Sequence, residues 1–163
     1  MTNTERTLLN LLHEDAKLTD EQLAAMLGKS EKEIHDTIAD LEAAGILIGY
    51  GAVINPEATE NDSVSALIEV KITPQRDRGF DAIARTIYSF PEVKACYLMS
   101  GAFDLMVIVE GDNIRQVGQF VSEKLSALDN VLSCATHFIL KRYKQDGRLL
   151  TKENDEHRQA VTP

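Results

Sequence analysis

Residues Leu18–Gly45 read LTDEQLAAMLGKSEKEIHDTIADLEAAG, and two capping boxes lie within them, eleven residues apart. Thr19-Asp20-Glu21-Gln22 opens a helix through Leu27, and Ser30-Glu31-Lys32-Glu33 opens another through Ala44. In each box the hydroxyl accepts a free backbone N–H while the fourth side chain reaches back, so the helix start is well specified. Gly28 supplies the turn between the two helices, and Gly45 closes the second as a left-handed cap. Leu23, Ala24, Met26 and Leu27 on one helix face Ile34, Ile38 and Leu41 on the next at helical spacing. Leu8, Leu9, Leu11 and Leu12 mark a preceding helix that completes a three-helix core. The run Ile46–Ile54 reads as a short β wing or linking strand, ended by Asn55-Pro56. The pattern predicts a winged helix-turn-helix with the helix after Ser30 in the recognition position.

The charge of this segment runs against that shape. Residues 1–60 hold twelve acidic side chains against four basic ones, Arg6, Lys17, Lys29 and Lys32, so −8 of the chain's −9 lies there. DNA binders draw most of their affinity from neutralising phosphates and releasing counterions. The exposed face of the recognition helix carries Glu31, Lys32, Glu33, His35, Asp36, Ala39, Asp40 and Glu42. A carboxylate about 7 Å from a phosphate costs roughly 0.6 kcal/mol in bulk water before screening. Two readings follow. In one, the segment reads DNA through Lys29, Ser30, Lys32, Glu33, His35, Asp36 and Thr37, with Lys29, Lys32 and His35 on phosphates and an acid accepting from cytosine. In the other, the fold is kept as a scaffold for dimer or partner contacts.

Beyond residue 62 the periodicity changes. Ser63–Ile72 alternates as a strand, Thr73–Gly79 is a polar loop, and Phe80, Ile83, Ala84 and Ile87 mark one face of a helix broken by Pro91. Val93–Met99 and Asp104–Glu110 form a hairpin through the turn Ser100–Phe103. Ile114, Val117, Val121, Leu125 and Leu128 make the next helical stripe, and Val131–Tyr143 is a long last strand. This βαββαβ order is ferredoxin-like, giving an α+β chain with spatial strand order 4-1-3-2. Val93-Lys94-Ala95-Cys96 and Val131-Leu132-Ser133-Cys134 both follow a helix, thirty-eight residues apart, a weak internal repeat. The two cysteines then lie on opposite sheet edges, beyond the roughly 7 Å between α-carbons that a disulfide allows. Exposed edges invite pairing with another copy. Val64, Leu67 and Ile68 are expected to add apolar surface to a homodimer.

Composition excludes several classes. No run of eighteen apolar residues is present, and the first residues, MTNTERTLLNLLHEDAK, lack the basic start of a secretion signal, so a cytoplasmic protein is expected without membrane contact. His13, His35, His137 and His157 are scattered, and no Cys-x-x-Cys, His-x-x-x-His, Gly-x-Ser-x-Gly or phosphate-binding glycine loop occurs. Neither a metal, a cofactor nor an enzymatic constellation is expected.

The helix-turn-helix followed by βαββαβ resembles the Lrp/AsnC family of feast/famine transcriptional regulators over residues 5–145. LTDEQLAAMLGKSEKEI and LEAAGILIGYGAVIN are similar to its N-terminal domain and linking strand. MSGAFDLMVIVEG is similar to the Gly-x-x-Asp hairpin of its amino-acid-sensing (RAM) domain, and NVLSCATHFILKRYK to its last strand. The resemblance implies a DNA-binding regulator whose dimers assemble further, commonly to octamers, with a small effector, usually an amino acid, bound where sensor domains meet. This chain departs from the family at Asp36, Thr37, Ala39 and Asp40, where basic residues are usual around Ile38, and at Ala102 and Cys134.

The implied effector site is the turn Met99-Ser100-Gly101-Ala102-Phe103-Asp104 with Thr136 from the last strand. Gly101 permits close backbone approach and a positive φ. Free turn N–H groups suit a carboxylate, and the Asp104 carboxylate suits an ammonium group, the two ends of an α-amino acid. The bland alternative is that Gly101 and Asp104 only make a tight turn. The plan also resembles the siroheme decarboxylases, a role that would bring His137 and Arg142 to a tetrapyrrole's carboxylates. The expected organisation is a winged helix with its linking strand over residues 1–60, an effector-binding and oligomerisation domain over 61–145, and a polar tail over 146–163.

Overall fold

The computed structural model describes residues 1–59, 63–73 and 79–150. They divide into two compact units between Ile54 and Asn55. The first holds three helices, α1 (Asn3–Glu14), α2 (Asp20–Leu27) and α3 (Glu31–Ala43). Each begins in a complete capping box, at Thr2, Thr19 and Ser30. Leu8, Leu12, Leu23, Ala24, Ile34 and Leu41 are buried together as the core of this unit. Burying a leucine or isoleucine side chain contributes about 1.5–3 kcal/mol, which is what holds so small a bundle. Met26 is 59% exposed instead of facing α3. Its helical phase lies roughly 100° from the centre of the Leu23, Ala24 and Leu27 stripe.

Gly28 and Gly45 take left-handed φ values of 64° and 67°. Past Gly45 the Ile46 amide returns to the Leu41 carbonyl at 2.9 Å and the Gly45 amide to Glu42 at 3.0 Å, a Schellman stop. The expected wing is not formed. No strand lies between Ala43 and the short 3-10 turn Pro56–Ala58, and only Leu47 of this run packs on the core. A strand exists by pairing its N–H and C=O groups with a neighbour. Here Ile48, Tyr50 and Ile54 are exposed at 93%, 52% and 63%, with no strand of the described residues beside them. The first unit is therefore a helix-turn-helix without a β wing.

The second unit carries β1 (Val64–Ile72), α4 (Asp81–Tyr88), β2 (Val93–Leu98), β3 (Leu105–Gly111), α5 (Ile114–Gln119) continuing as a wider π-helical turn over Phe120–Leu125, and β4 (Val131–Phe138). The sheet runs β2-β3-β1-β4 with every neighbouring pair antiparallel, the ferredoxin-like order 4-1-3-2. One face packs Ala66, Ile68, Val70, Val107 and Val109 against Ile83 and Ile87 of α4 and Val117, Phe120 and Leu125 of the last helix. Ile68 is thus fully buried beneath the helices and does not belong to an exposed apolar surface. Alternation along β1 sends Leu67 to one face of the sheet and Ile68 to the other.

The helix after β3 departs from the regular stripe. Ile114 is 61% exposed, while Phe120 is buried and meets Phe90 edge-to-face with centroids 5.6 Å apart. The π turn, in which the Ser126 amide reaches the Val121 carbonyl at 2.8 Å, rotates Phe120 and Leu125 inward together. The last strand is also shorter than expected. β4 ends at Phe138, and just past it the Ile139 amide reaches the Ser65 carbonyl near the start of β1 at 2.9 Å. The chain then makes a two-residue hairpin, β5 (Lys144–Gln145) and β6 (Arg148–Leu149), across Asp146-Gly147. Residues 146–150, expected in a tail, belong to this hairpin and its end; Thr151–Pro163 lie outside the described residues.

Candidate functional sites

The seven residues singled out for DNA contact all fall on the start of α3 and the turn before it, but most already have local partners. Ser30 and Glu33 form the capping box: the Glu33 carboxylate accepts the Ser30 amide at 2.9 Å and hydroxyl at 2.8 Å. Lys29 Nζ sits 3.3 Å from the other Glu33 oxygen. The Ser30 amide first, then its hydroxyl and Lys29, hold the Glu33 carboxyl down at about 2. The Thr37 hydroxyl donates to the Glu33 carbonyl at 2.6 Å. The Asp20 carboxylate accepts from His35 Nδ1 at 3.1 Å, tying α3 to the start of α2. Lys32 and Asp36 point to solvent with no polar partner among the described residues. One negative charge of the reading face is thus internally compensated, and Lys32 is its unpaired cation. Lys29 is only loosely held, since an exposed ion pair is worth about 0–1 kcal/mol.

Behind the reading face lies a cleft of about 230 Å³ that the sequence reading did not anticipate. Leu12, Leu18 and Ile38 form its apolar walls, and the Asp20–His35 and Glu42–Tyr50 pairs its rim. The Tyr50 hydroxyl donates to Glu42 at 3.0 Å; loss of solvent, then the carboxylate, pushes its pKa up. Neither pair has helical spacing, so no local pattern announces them.

In the second unit the turn Met99–Asp104 is closed by the Met99 amide on the Asp104 carbonyl at 2.8 Å. Gly101 has φ 153°, and Ser100, Gly101 and Ala102 are exposed. The amides of Ser100 to Phe103 have no partner among the described residues. Asp104 is anchored more firmly than a tight turn requires. Its amide donates to Val70 at 3.1 Å, and its Oδ2 accepts the Ile72 amide at 2.8 Å. That amide faces β3 just past Val70↔Leu105, where the β1–β3 pairing ends, so the carboxylate satisfies a donor beyond the end of that ladder. Thr136 is not brought to this turn within one chain. It pairs opposite Ile68, four residues or roughly 13 Å along β1 from Ile72.

The sheet face away from the helices is largely apolar. Register places Ala95, Ile108 and Leu67 in one row with His137, and Tyr97 and Met106 in the next with Glu69 and Ala135. A polar margin borders it: Arg142 Nη2 donates to the Ser65 hydroxyl and lies 3.7 Å from Glu110, and His137 lies 3.5 Å from Glu69. His137 and Arg142 are therefore engaged with neighbouring strands of this face. Cys96 and Cys134 are free thiols on the two edge strands β2 and β4, and burial pushes both up in pKa. Among the described residues no helix is long and apolar enough to cross a membrane, and no metal-binding cluster of His, Cys, Asp or Glu occurs.

Comparison with known proteins adds to this geometry. The AsnC-type helix-turn-helix domain matches residues 1–42 and the Lrp/AsnC ligand binding domain matches residues 65–149. YugG of Bacillus subtilis, described as an uncharacterized HTH-type transcriptional regulator, is 42% identical over 100% of this chain and 99% of its own. The leucine-responsive regulatory protein of Escherichia coli is 27% identical over 91% of this chain and 90% of its own. Among solved structures, the Neisseria meningitidis transcriptional regulator NMB0573 in complex with L-Met superposes with TM-score 0.70 at 26% identity, covering 89% of this chain and 93% of that one. The leucine response regulatory protein of Mycobacterium tuberculosis gives TM-score 0.75 at 25% identity, covering 93% and 100%.

Proposed function

The chain belongs to the Lrp/AsnC family of transcriptional regulators, and from that premise we propose that it reads DNA through α3 and answers to a small amino acid held at the Met99–Asp104 turn. The observation that carries the reading is the pairing, in one chain, of a fully capped helix-turn-helix with a sensor unit whose exposed turn offers unpartnered amides beside a carboxylate. On the reading face, Lys32 with Lys29 and His35 contacts phosphates, while Ser30, Glu33, Asp36 and Thr37 set the helix start against the groove. In the sensor, the amides of Ser100 to Phe103 receive the effector carboxylate and Asp104 Oδ1 its ammonium group. The complex with L-Met of the Neisseria regulator supports this ligand class. Thr136 enters the site from a neighbouring copy.

The protein works as a homodimer that assembles further. Its support is the uncovered row of Ala95, Ile108 and Leu67 with Tyr97 and Met106, an apolar face that a second sheet covers. We read the chain as a cytoplasmic regulator and not an enzyme. His137 and Arg142, the residues a tetrapyrrole would need, are paired with Glu69 and with Ser65 and Glu110.

A second reading has an observation behind it as well. The acidic surplus of residues 1–60 favours a metabolite-sensing oligomer whose helix-turn-helix meets protein instead of DNA. Selection of genomic fragments at low salt, with the parent and with Lys32→Glu, decides between them. Enrichment that disappears in the variant supports the regulator; no enrichment with either protein refutes it in favour of the sensor.

A further inference from the structure

The densest positive charge in the chain lies outside the helix-turn-helix. Between positions 141 and 148 stand Lys141, Arg142, Lys144 and Arg148 against one acid, Asp146. Three of these cations sit on or beside the β5–β6 ribbon, which is a built element. Asp146 and Gly147, at φ 47° and 78°, form the left-handed pair that a two-residue hairpin demands. The Leu150 amide extends the ladder to the Tyr143 carbonyl at 2.9 Å, and Asn55 Nδ2 ties the Leu150 carbonyl at 2.9 Å.

Register sets Lys144 opposite Leu149 and Gln145 opposite Arg148, so Lys144 and Arg148 leave the ribbon on opposite faces. Lys141 Nζ stands 5.3 Å over the Tyr143 ring. Lys141 and Lys144 are exposed, and neither has a carboxylate within ion-pair distance among the described residues. Arg142 turns inward, to Ser65 and Glu110, and Arg148 Nη1 donates to the Asp146 carbonyl at 3.4 Å.

Lys141 and Lys144 stand three residues apart along an exposed stretch of chain, with no carboxylate on either. They suit a partner whose negative charge repeats along a surface. α3 meanwhile offers that partner Lys32 as its unpaired cation. We propose that the ribbon from Lys141 to Leu149 is a second DNA-contacting surface, engaging the phosphate backbone of duplex DNA without reading its sequence. The proposal rests on the regulator reading above, and it places in the sensor unit cations that the reading helix lacks. Leu140 and Leu149, 95% and 66% exposed, give the ribbon an apolar margin that a second copy of the chain would also cover, and the test separates that occupant.

The full-length protein and its Lys141→Gln/Lys144→Gln variant are titrated, by fluorescence anisotropy, onto a duplex of unrelated sequence and onto a fragment enriched in the genomic selection. Salt is varied between about 50 and 200 mM, and circular dichroism and light scattering accompany each protein. Each phosphate contact contributes about 0.9 to the slope of log affinity on log salt, so the variant's slope falls by about 1.8 per engaged copy. Its deficit then shrinks about tenfold across that salt range, equally on both duplexes. The preference for the enriched fragment survives in this variant and is lost in Lys32→Glu. Equal slopes for parent and variant, with the parent binding, overturn the ribbon's role and leave the regulator reading standing. A changed particle mass with unchanged DNA affinity overturns it in favour of a second copy. Absence of DNA binding by the parent removes both readings together.

Discussion

The Glu33 carboxylate closes back on Ser30, accepting its amide at 2.9 Å and its hydroxyl at 2.8 Å, so this acid in the first turn of the reading helix serves the helix itself. The same arrangement at Thr19 uses Gln22 with no charge, which makes the contribution of ionisation separable from that of the cap.

A pH dependence follows from this pair. The Glu33 carboxyl is lowered from 4.5 to about 2 in the folded chain. A depressed carboxyl stabilises the fold above its unfolded pKa, and the contribution is lost as pH falls through the folded value. Thermal melts of the parent should therefore show a component that declines between about 4.5 and 2. Glu33→Gln keeps the cap and removes that component. Ser30→Ala costs about 1 kcal/mol at neutral pH through the lost cap.

At the sensor turn, Asp104 has a structural duty as well as the proposed ligand duty. Asp104→Ala leaves the Ile72 amide without its acceptor and costs about 1–3 kcal/mol. Asp104→Asn retains an acceptor, so it should fold with near-parental stability while losing amino-acid binding in calorimetry. Undiminished binding in the Asn variant would remove the ammonium contact from the site.

Assembly is tested on the uncovered sheet face. Ile108→Lys places a charge between Ala95 and Leu67, where a second sheet would bury it. Light scattering should then give a smaller particle than the parent, with circular dichroism unchanged. A parental mass would move the interface elsewhere.

The two thiols should be slow. Burial raises both, so less thiolate is present at a given pH than for a free cysteine. Titration with a disulfide reagent at pH 8 should run slower than for a simple thiol and quicken as pH rises. No intramolecular disulfide should form on mild oxidation, because β2 and β4 are separated by β3 and β1.

What the sequence showed plainly was whatever depends on near neighbours. Both boxes, Gly28, Gly45 and the alternation of β1 and β3 are local signals, and they carried the element order and the strand order with them. The wing failed because Ile46–Ile54 has the composition of a strand, while a strand also needs a partner, which composition does not report. Met26 and Ile68 were misplaced by one step of phase. Phe120 was missed because a π turn breaks the spacing on which a helical stripe is read. In the candidate sites, the turn at Met99–Asp104 was legible from Gly101 and Asp104. The Asp104–Ile72 and Asp20–His35 contacts span 32 and 15 residues and have no local signature.

The π turn at Phe120–Leu125 has a bearing on how this chain is matched to others. A helix with one wide turn holds one more residue than an α-helix of the same rise. Counting positions across it, from a chain whose helix is regular throughout, delivers every later assignment one place out of step. In β4 one place is also one face: a role meant for Thr136, on the helix side with Ile68, would arrive at Ala135 or His137, on the open side of the sheet. Along β4 it is the pairing with β1, residue against residue, that fixes which face each side chain takes.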